Sequence, residues 1–425
     1  VLGLSLAYFT ILTAPGLTWI NTDSDGATYL TSAKYFRLSH PTGAPLYNLI
    51  NMAAVRIPLG EEAWRLAIMS AIAASLTSAL LYLITKNLLA PLVFLASGLV
   101  VSQSTIIETY SLVTLLSVLG YYLHTSDSKY KYLALGLGLA VHHLAIFVLV
   151  PIMVHDYFNN KSLKFSLLVL PPLLFYFYVP IFNREPFRWI LGDGFSDYFR
   201  YFTSQGGLIG GLAIIPIGDL IERIQDFSVV VLGGFTFSIV VLLFGIIRSI
   251  QKKNYLLPAL IILPLAYYAS DLAPQTYVYT LPAFAFGAIL IAKTPIETFY
   301  KGAIVVTSLI LIGLNIQLYD IGRTLDSELS ASKYYNDLSS IPNDSTIWVD
   351  SNGWEATTAW MYNLDNGLSS IKVVSRGFSG ISLPDIVLLL EAQKDSNLYR
   401  TVSIDHTTYL VEIVKWNSSR AEILS

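Results

Sequence analysis

Six ionisable residues stand out in a chain otherwise poor in them: Asp23, Asp25, His40, Glu108, His142 and His143. Lys34 and Arg37 lie among the first three, so one short stretch holds two acids, two cations and an imidazole. A carboxylate there can serve as a general base, and cations can hold an anion. Asp25 is the base candidate. Lys34, Arg37 and His40, with Arg184 and Arg188 from a later loop, are the cation candidates. Asp23-x-Asp25 is also compatible with a divalent cation, although no HExxH-type metal signature occurs.

Each of these residues has a structural reading too. Asp25 precedes "GATYLTSAKYF" and suits a helix N-cap. Lys34 and Arg37 can snorkel from an amphipathic interface helix. His40-Pro41 can simply open a turn fixed by Pro41, Gly43 and Pro45. Glu108 can be solvated in a short loop. On a continuous helix the adjacent His142 and His143 point about 100° apart, so at most one is expected to line a site.

The elements that must position them are membrane helices. The 425 residues are 54% hydrophobic and only 13% charged, with mean hydropathy +0.58, against about 25% charge in an ordinary soluble domain. Several apolar runs approach the ~20 residues that cross a bilayer core as a helix. A net charge of −3 does not suit nucleic acid, and the absence of cysteine excludes disulfides, iron–sulfur clusters and thiolate catalysis.

Spans are expected near 1–20, 64–86, 88–103, 106–123, 163–181, 228–249, 255–271, 275–292 and 298–319. The first is read as a retained span rather than a signal peptide. Residues 131–157 form either one long span or two short ones meeting at His142-His143. Lys86, Lys129, Lys131, Lys161, Lys164, Arg248, Lys252, Lys253, Lys293 and Lys301 fall on one side only if 131–157 is a hairpin. That gives about eleven spans, a cytoplasmic N-terminus, and loops 21–63 and 182–227 facing outward. If 131–157 is a single span, everything after it flips.

The transmembrane part is therefore expected over 1–321, followed by an outward-facing α/β domain over 322–425. In that domain "STIWVD", "IKVVS", "DIVLLLE" and "TYLVEIVK" read as short strands, with a helix near 353–364. Asn343-Asp344-Ser345 and Asn417-Ser418-Ser419 are glycosylation sequons, compatible with that placement.

"HPTGAPLY", residues 40–47, with Asp25 upstream, resembles the His-Pro-Pro-Gly-Tyr-Pro-Leu-Tyr motif of the protein O-mannosyltransferase-like family of GT-C membrane glycosyltransferases. "ETY" at 108–110 resembles that family's Glu-Val-Tyr element. "GLGLAVHH" at 136–143 is similar to its Gly-rich helix ending in Asn-His-His. Residues 341–362 are similar to the segment after its last span. The order is kept over most of the chain. Thr42, Ala44, Thr28 and Val141 stand where the family usually has Pro, Tyr, an acid and Asn.

The resemblance implies a GT-C-like polytopic α-helical fold, a polyprenyl-phosphate sugar donor of the mannose type, and inversion at the sugar carbon. Asp25 and Glu108 would be the catalytic residues. His40, Arg37, Lys34, Arg184, Arg188, His142 and His143 would frame the donor phosphate. The acceptor would be a protein Ser or Thr hydroxyl on the outer face. Three other readings stay open at this point: the same fold acting on a glycan or lipid-linked acceptor, a transporter or flippase, and a non-catalytic subunit of a membrane complex. A transporter predicts ionisable residues at the midplane, whereas here they gather towards one face.

Overall fold

Prolines and glycines decide where the apolar runs break into helices. The computed structural model describes residues 1–19, 25–40, 44–183, 194, 197–198, 201, 217–270, 276–318, 331–343, 345–349, 354–367, 371–375, 398–404, 407–417 and 420–424. Asp23, Pro41 to Gly43, Arg184, Arg188 and the expected "DIVLLLE" strand lie outside the described residues.

The first helix, α1 (Leu2–Leu12), stops at Thr13, just before Pro15-Gly16, and is shorter than the span expected over 1–20. Two short helices of the first large loop follow, α2 (Gly26–Tyr35) and α3 (Pro45–Ala54), the latter with proline at its first turn. Next come α4 (Glu62–Thr85), α5 (Leu89–Ala96), α6 (Gly98–Ser104) and α7 (Tyr110–Thr125). The run expected as one span over 88–103 is thus two helices parted at Ser97, whose backbone is extended. Buried hydroxyls on α4 do not stand alone: Ser75, Thr77 and Ser78 each donate to the carbonyl four residues back, which satisfies them inside an apolar bundle.

The ambiguous segment folds back on itself. Helices α8 (Lys131–Val141) and α9 (Ile146–Phe158) meet through a short 3-10 turn at His143–Ala145. Their far ends are side by side: Lys131 Nζ lies 2.6 Å from Asp156 Oδ2, and the Tyr132 hydroxyl donates to the same oxygen at 2.7 Å. Lys131, read from the sequence as a solvent-side charge, is only 4% exposed. It is held by this acid rather than by water.

Residues Leu163–Phe182 run as short 3-10 and α turns, because Pro171, Pro172 and Pro180 deny them a continuous ladder. They pack on Gly136 of α8. A Cβ on Gly136 would sit 2.7 Å from the Val169 carbonyl oxygen and 2.9 Å from its Cα, and one on Gly138 would sit 2.9 Å from Ala145 Cβ. Gly136→Ala is therefore expected to lower the melting temperature, although alanine normally favours a helix by about 1 kcal/mol over glycine. Gly313→Ala, where a Cβ meets nothing within 4 Å, should raise it or leave it unchanged. Thermal melts of the two purified variants decide; a Gly136→Ala melt above wild type would show the close packing is not there.

The second half contains α10 (Ile217–Phe235), α11 (Ser238–Gln251), α12 (Leu256–Ser270), α13 (Leu281–Lys293) and α14 (Thr298–Leu318). The span expected over 228–249 is broken: residues 225–235 and 238–251 meet at 98°. The break follows Gly233-Gly234, at a left-handed Thr236 (φ 48°), where Gly234 lies directly against the Phe284 ring. Helix α13 is buried on every face from Leu281 to Ile291, as befits the centre of a bundle. By contrast α11, with Phe237 just before it, and α14 expose Val240, Leu243, Phe244, Ile247, Val306, Leu309 and Ile310. Such apolar faces suit lipid and not water. Among the described residues, three helices are long and apolar enough to cross a membrane, or four if the bent pair is one span.

After α15 (Ala331–Asp337), the C-terminal residues build a five-stranded sheet of order β2-β1-β3-β4-β5. Strands β1 (Ser345–Val349), β2 (Ile371–Ser375) and β3 (Leu398–Ile404) are parallel. Strands β4 (Thr407–Asn417) and β5 (Arg420–Leu424) add antiparallel hairpins. Helix α16 (Trp354–Asp365) connects β1 to β2 as a crossover. One apolar cluster runs continuously from Trp19, Tyr29 and Tyr47 to Tyr334, Ile347, Ala359 and Met361. The sheet unit is thereby packed on the loop that carries Asp25 and His40.

Candidate active site

Asp25 occupies the N-cap position of α2, yet its side chain makes no cap hydrogen bond. Its Oδ2 instead lies 3.3 Å from His40 Nε2. The same imidazole nitrogen lies 3.5 Å from the Tyr29 hydroxyl, and the Tyr29 ring meets His40 and Tyr47 edge-on, at 5.1 and 4.8 Å between centroids. Asp25 and His40 keep roughly a quarter of their side-chain surface open, 29% and 25%, so a ligand can reach both. Tyr29 is buried. That burial first, then the charges of Glu108 and Asp25, push its phenol well above its ordinary pKa, so it remains a neutral hydroxyl.

The backbone that presents His40 is tied down from a distance. Tyr201 donates to the Ser39 carbonyl at 2.7 Å and Asn48 Nδ2 to the Ser39 hydroxyl at 2.7 Å. Tyr178 donates to the Arg37 carbonyl at 2.6 Å, and the Leu38 amide to the Phe182 carbonyl at 3.1 Å. The proline-broken segment 163–182 thus ends by clamping the loop before the "HPTGAPLY" motif. A fixed imidazole costs less to order when ligand arrives.

Glu108 is 2% exposed, in the turn between α6 and α7. Ser70 of α4 donates to its carbonyl at 3.1 Å, and its own Oε2 accepts from the Thr109 amide at 3.2 Å. The reading of Glu108 as a solvated loop acid is thereby corrected: α4 and α7 enclose it, and its charge is felt at Tyr29.

His142 and His143 do not follow helical geometry. The helix stops at His142, whose backbone is extended (φ −159°), and its Nδ1 accepts from the Leu144 amide at 3.3 Å. The two rings come to lie 4.1 Å apart, tilted by 32°. Both therefore face one aromatic group: Tyr279 lies 5.6 Å from His142 and 6.1 Å from His143, with Tyr110 and Tyr267 beside them. The expectation that only one histidine could face a site assumed an unbroken helix.

Tyr110 belongs to the "ETY" element, but Tyr29, Tyr267 and Tyr279 are not among the residues that the sequence singles out. In a chain with 27 tyrosines only Tyr29 of these three, one helical turn after Asp25, stands where a signal could have been read. Lys34, a phosphate candidate, is engaged elsewhere. Its ammonium bridges Asp365 of α16 at 2.7 Å and Glu62 of α4 at 3.1 Å. Burial lowers its pKa, but the hydrogen bonds to Asp365 and Glu62 outweigh that and the net shift is upward. Its role in the structure is to pin the sheet unit to α2. Among the described residues no group of three metal ligands gathers at Asp25, and its partner in the Asp23-x-Asp25 expectation lies outside them.

Two comparisons bear on this arrangement. Residues 25–123 match the family model of the protein O-mannosyl-transferase TMEM260 N-terminal domain. The fold is similar to that of ArnT from Cupriavidus metallidurans in two crystal structures. The form bound to undecaprenyl phosphate gives a TM-score of 0.63 at 9% identity, and the apo form gives 0.59 at 10%; each comparison covers 96% of both chains. No curated protein matches the sequence. The chain thus shares the fold of ArnT, and residues 25–123, the stretch holding Asp25, His40 and Glu108, match the N-terminal domain model of a protein O-mannosyl-transferase.

Proposed function

We propose that this chain is an integral membrane glycosyltransferase that moves a sugar, mannose in the first instance, from a polyprenyl phosphate to a Ser or Thr hydroxyl of a protein. The observation that carries this reading is Asp25. Within the matched stretch, its carboxylate forgoes the helix cap it could make and stands beside His40. Asp25 takes the proton of the acceptor hydroxyl as that oxygen attacks the anomeric carbon. The bond from that carbon to the phosphate oxygen breaks, and its electron pair leaves with the lipid phosphate. Attack from the face opposite the leaving group inverts the sugar carbon. His40, with Arg37 and with Arg184 or Arg188 from the later loop, would meet the phosphate charge, since an unpaired phosphate beside hydrocarbon is strongly disfavoured. Glu108, His142 and His143, with Tyr29 and Tyr279, would hold the sugar hydroxyls. That undecaprenyl phosphate binds the similarly folded ArnT supports a polyprenyl carrier here.

The test is transfer by purified protein in lipid nanodiscs, given polyprenyl-phosphate mannose and a Ser/Thr peptide. Radiolabelled sugar should appear on the peptide, and its linkage should be opposite in configuration to the donor. Label on a glycan acceptor but never on a peptide would move the reading to that acceptor. No transfer to either would remove it.

An outer-face position for the site is supported by the basic residues Lys86, Lys129, Lys161, Lys164, Arg248, Lys252, Lys253, Lys293 and Lys301, which lie at or next to helix ends. With the hairpin at 131–157, this orientation puts the N-terminus in the cytoplasm and the sheet unit outside. A cysteine introduced at Ser419 should then react with a membrane-impermeant thiol reagent in intact cells, and ones at Lys129 and Lys161 should not. The reverse pattern would invert the orientation.

A further inference from the structure

A second cluster of buried ionisable residues lies where α7 and α9 end and α8 begins. Helix α8 separates it from His142-His143 by eleven residues, about 16 Å. It contains His124 of α7, Lys131 and Tyr132 of α8, and His155 and Asp156 of α9. We propose that His124, His155 and Asp156 bind a divalent transition-metal ion of the zinc type.

Asp156 is the centre of the argument. It is 1% exposed, and its two oxygens are treated unequally. Oδ2 receives the Lys131 ammonium at 2.6 Å and the Tyr132 hydroxyl at 2.7 Å. Oδ1 receives no donor, and a buried carboxylate oxygen left so is costly. This oxygen faces two imidazole nitrogens, His124 Nδ1 at 3.5 Å and His155 Nδ1 at 4.0 Å. His155 Nδ1 also has no hydrogen-bond partner. One ligand atom from each of the three side chains lies within 4.8 Å of the others, and the two rings stand edge to face at 4.9 Å.

Zinc–nitrogen and zinc–oxygen bonds of about 2.0–2.1 Å put tetrahedral ligand atoms roughly 3.4 Å apart. The His124–Asp156 pair is already at that spacing. His155, with 35% of its side chain exposed, is free enough to turn in. Two imidazoles and one carboxylate suit zinc and its neighbours, not magnesium or calcium, which take oxygen. Lys131 also lies 3.5 Å from His124 Nδ1, and an entering cation would displace it from there. It would stay on Oδ2 with Tyr132, and the two would supply the outer hydrogen bonds that a metal-bound carboxylate ordinarily has. Three protein ligands leave a fourth position for water, and the ion would staple α7 to α9 on the face opposite the sugar site.

The experiment uses tag-free, chelator-treated protein in detergent, equilibrated with Zn2+ or Mg2+ and freed of unbound metal. Metal analysis should find one zinc per chain and no retained magnesium. The melting temperature should rise with zinc, and Co2+ should give the strong visible absorption of a tetrahedral ion. His155→Ala, at the most open of the three positions, should keep the fold and weaken zinc binding on the order of 10-fold or more, at least the scale found when an outer-shell partner is lost. His124→Ala combined with His155→Ala should abolish it. Wild type that retains no zinc overturns the proposal. So does equal retention by the His155→Ala protein, which would place the metal elsewhere.

Discussion

Asp25→Asn protein is expected to melt with the wild type and to transfer sugar on the order of 10²-fold more slowly or worse, the usual scale for removing a general base. Asparagine keeps the shape of the side chain and caps a helix about as well as aspartate. Capping is in any case not what Asp25 does, since its carboxylate makes no bond to the first turn of α2. The substitution weakens only the pairing with His40 at 3.3 Å, between side chains with 29% and 25% of their surface open. A pair so exposed contributes less than about 1 kcal/mol to stability. The proton acceptor, by contrast, is removed entirely. Transfer measured beside a melting curve separates the two effects. Near wild-type turnover in the variant would leave Asp25 without a catalytic part, and Glu108 would be the next acid to replace.

The sequence showed those residues whose presence costs free energy. An acid or a histidine in an apolar chain needs a reason, so Asp25, His40, Glu108, His142 and His143 could be picked out singly. Helix positions followed from hydropathy: α4, α12 and α14 begin and end within a few residues of their expected bounds. Interruptions were harder. The 98° bend after Gly233-Gly234 and the split at Ser97 depend on what packs opposite, in the first case the ring of Phe284. The extended backbone at His142, which brings both imidazoles to one side, is likewise set by tertiary context and not by local propensity.

Neutral residues of the site were not legible. Tyr29 and Tyr279 look like any other tyrosine until the fold sets them beside His40 and His142. Lys34 shows the converse limit. Its position beside Arg37 suggested phosphate, but its partners are Glu62 and Asp365, and Asp365 is separated from it by most of the chain. Strands β3 and β5 were missed: β3 owes its place at the centre of the sheet to pairing with β1 and β4 on either side, and β5 is a five-residue edge strand whose pairing to β4 the sequence does not show.

Asp156→Ala is expected to destabilise the metal-free protein by about 3–5 kcal/mol, the scale found when one partner of a buried ion pair is removed. Side chains of Asp156 and Lys131 are only 1% and 5% exposed. Without the carboxylate, the Tyr132 hydroxyl loses its acceptor and the buried lysine ammonium loses its counter-charge, keeping only His124 Nδ1 at 3.5 Å. The charge left behind causes most of the destabilisation, not the missing attraction. Replacing both partners with apolar residues, Lys131→Met with Asp156→Leu, should therefore recover much of the stability, since buried pairs exchanged for packed hydrophobic groups are often neutral. Melting of the single and double variants in chelator measures this directly. A double variant no better than Asp156→Ala would mean that packing at this end of α8, and not charge, sets the cost. The proposed sugar site lies at the other end of α8, so the folded fraction of Asp156→Ala should transfer sugar at the wild-type rate. Asp25→Asn should show the opposite, stability without transfer, and the two variants together separate what holds the hairpin from what works at its tip.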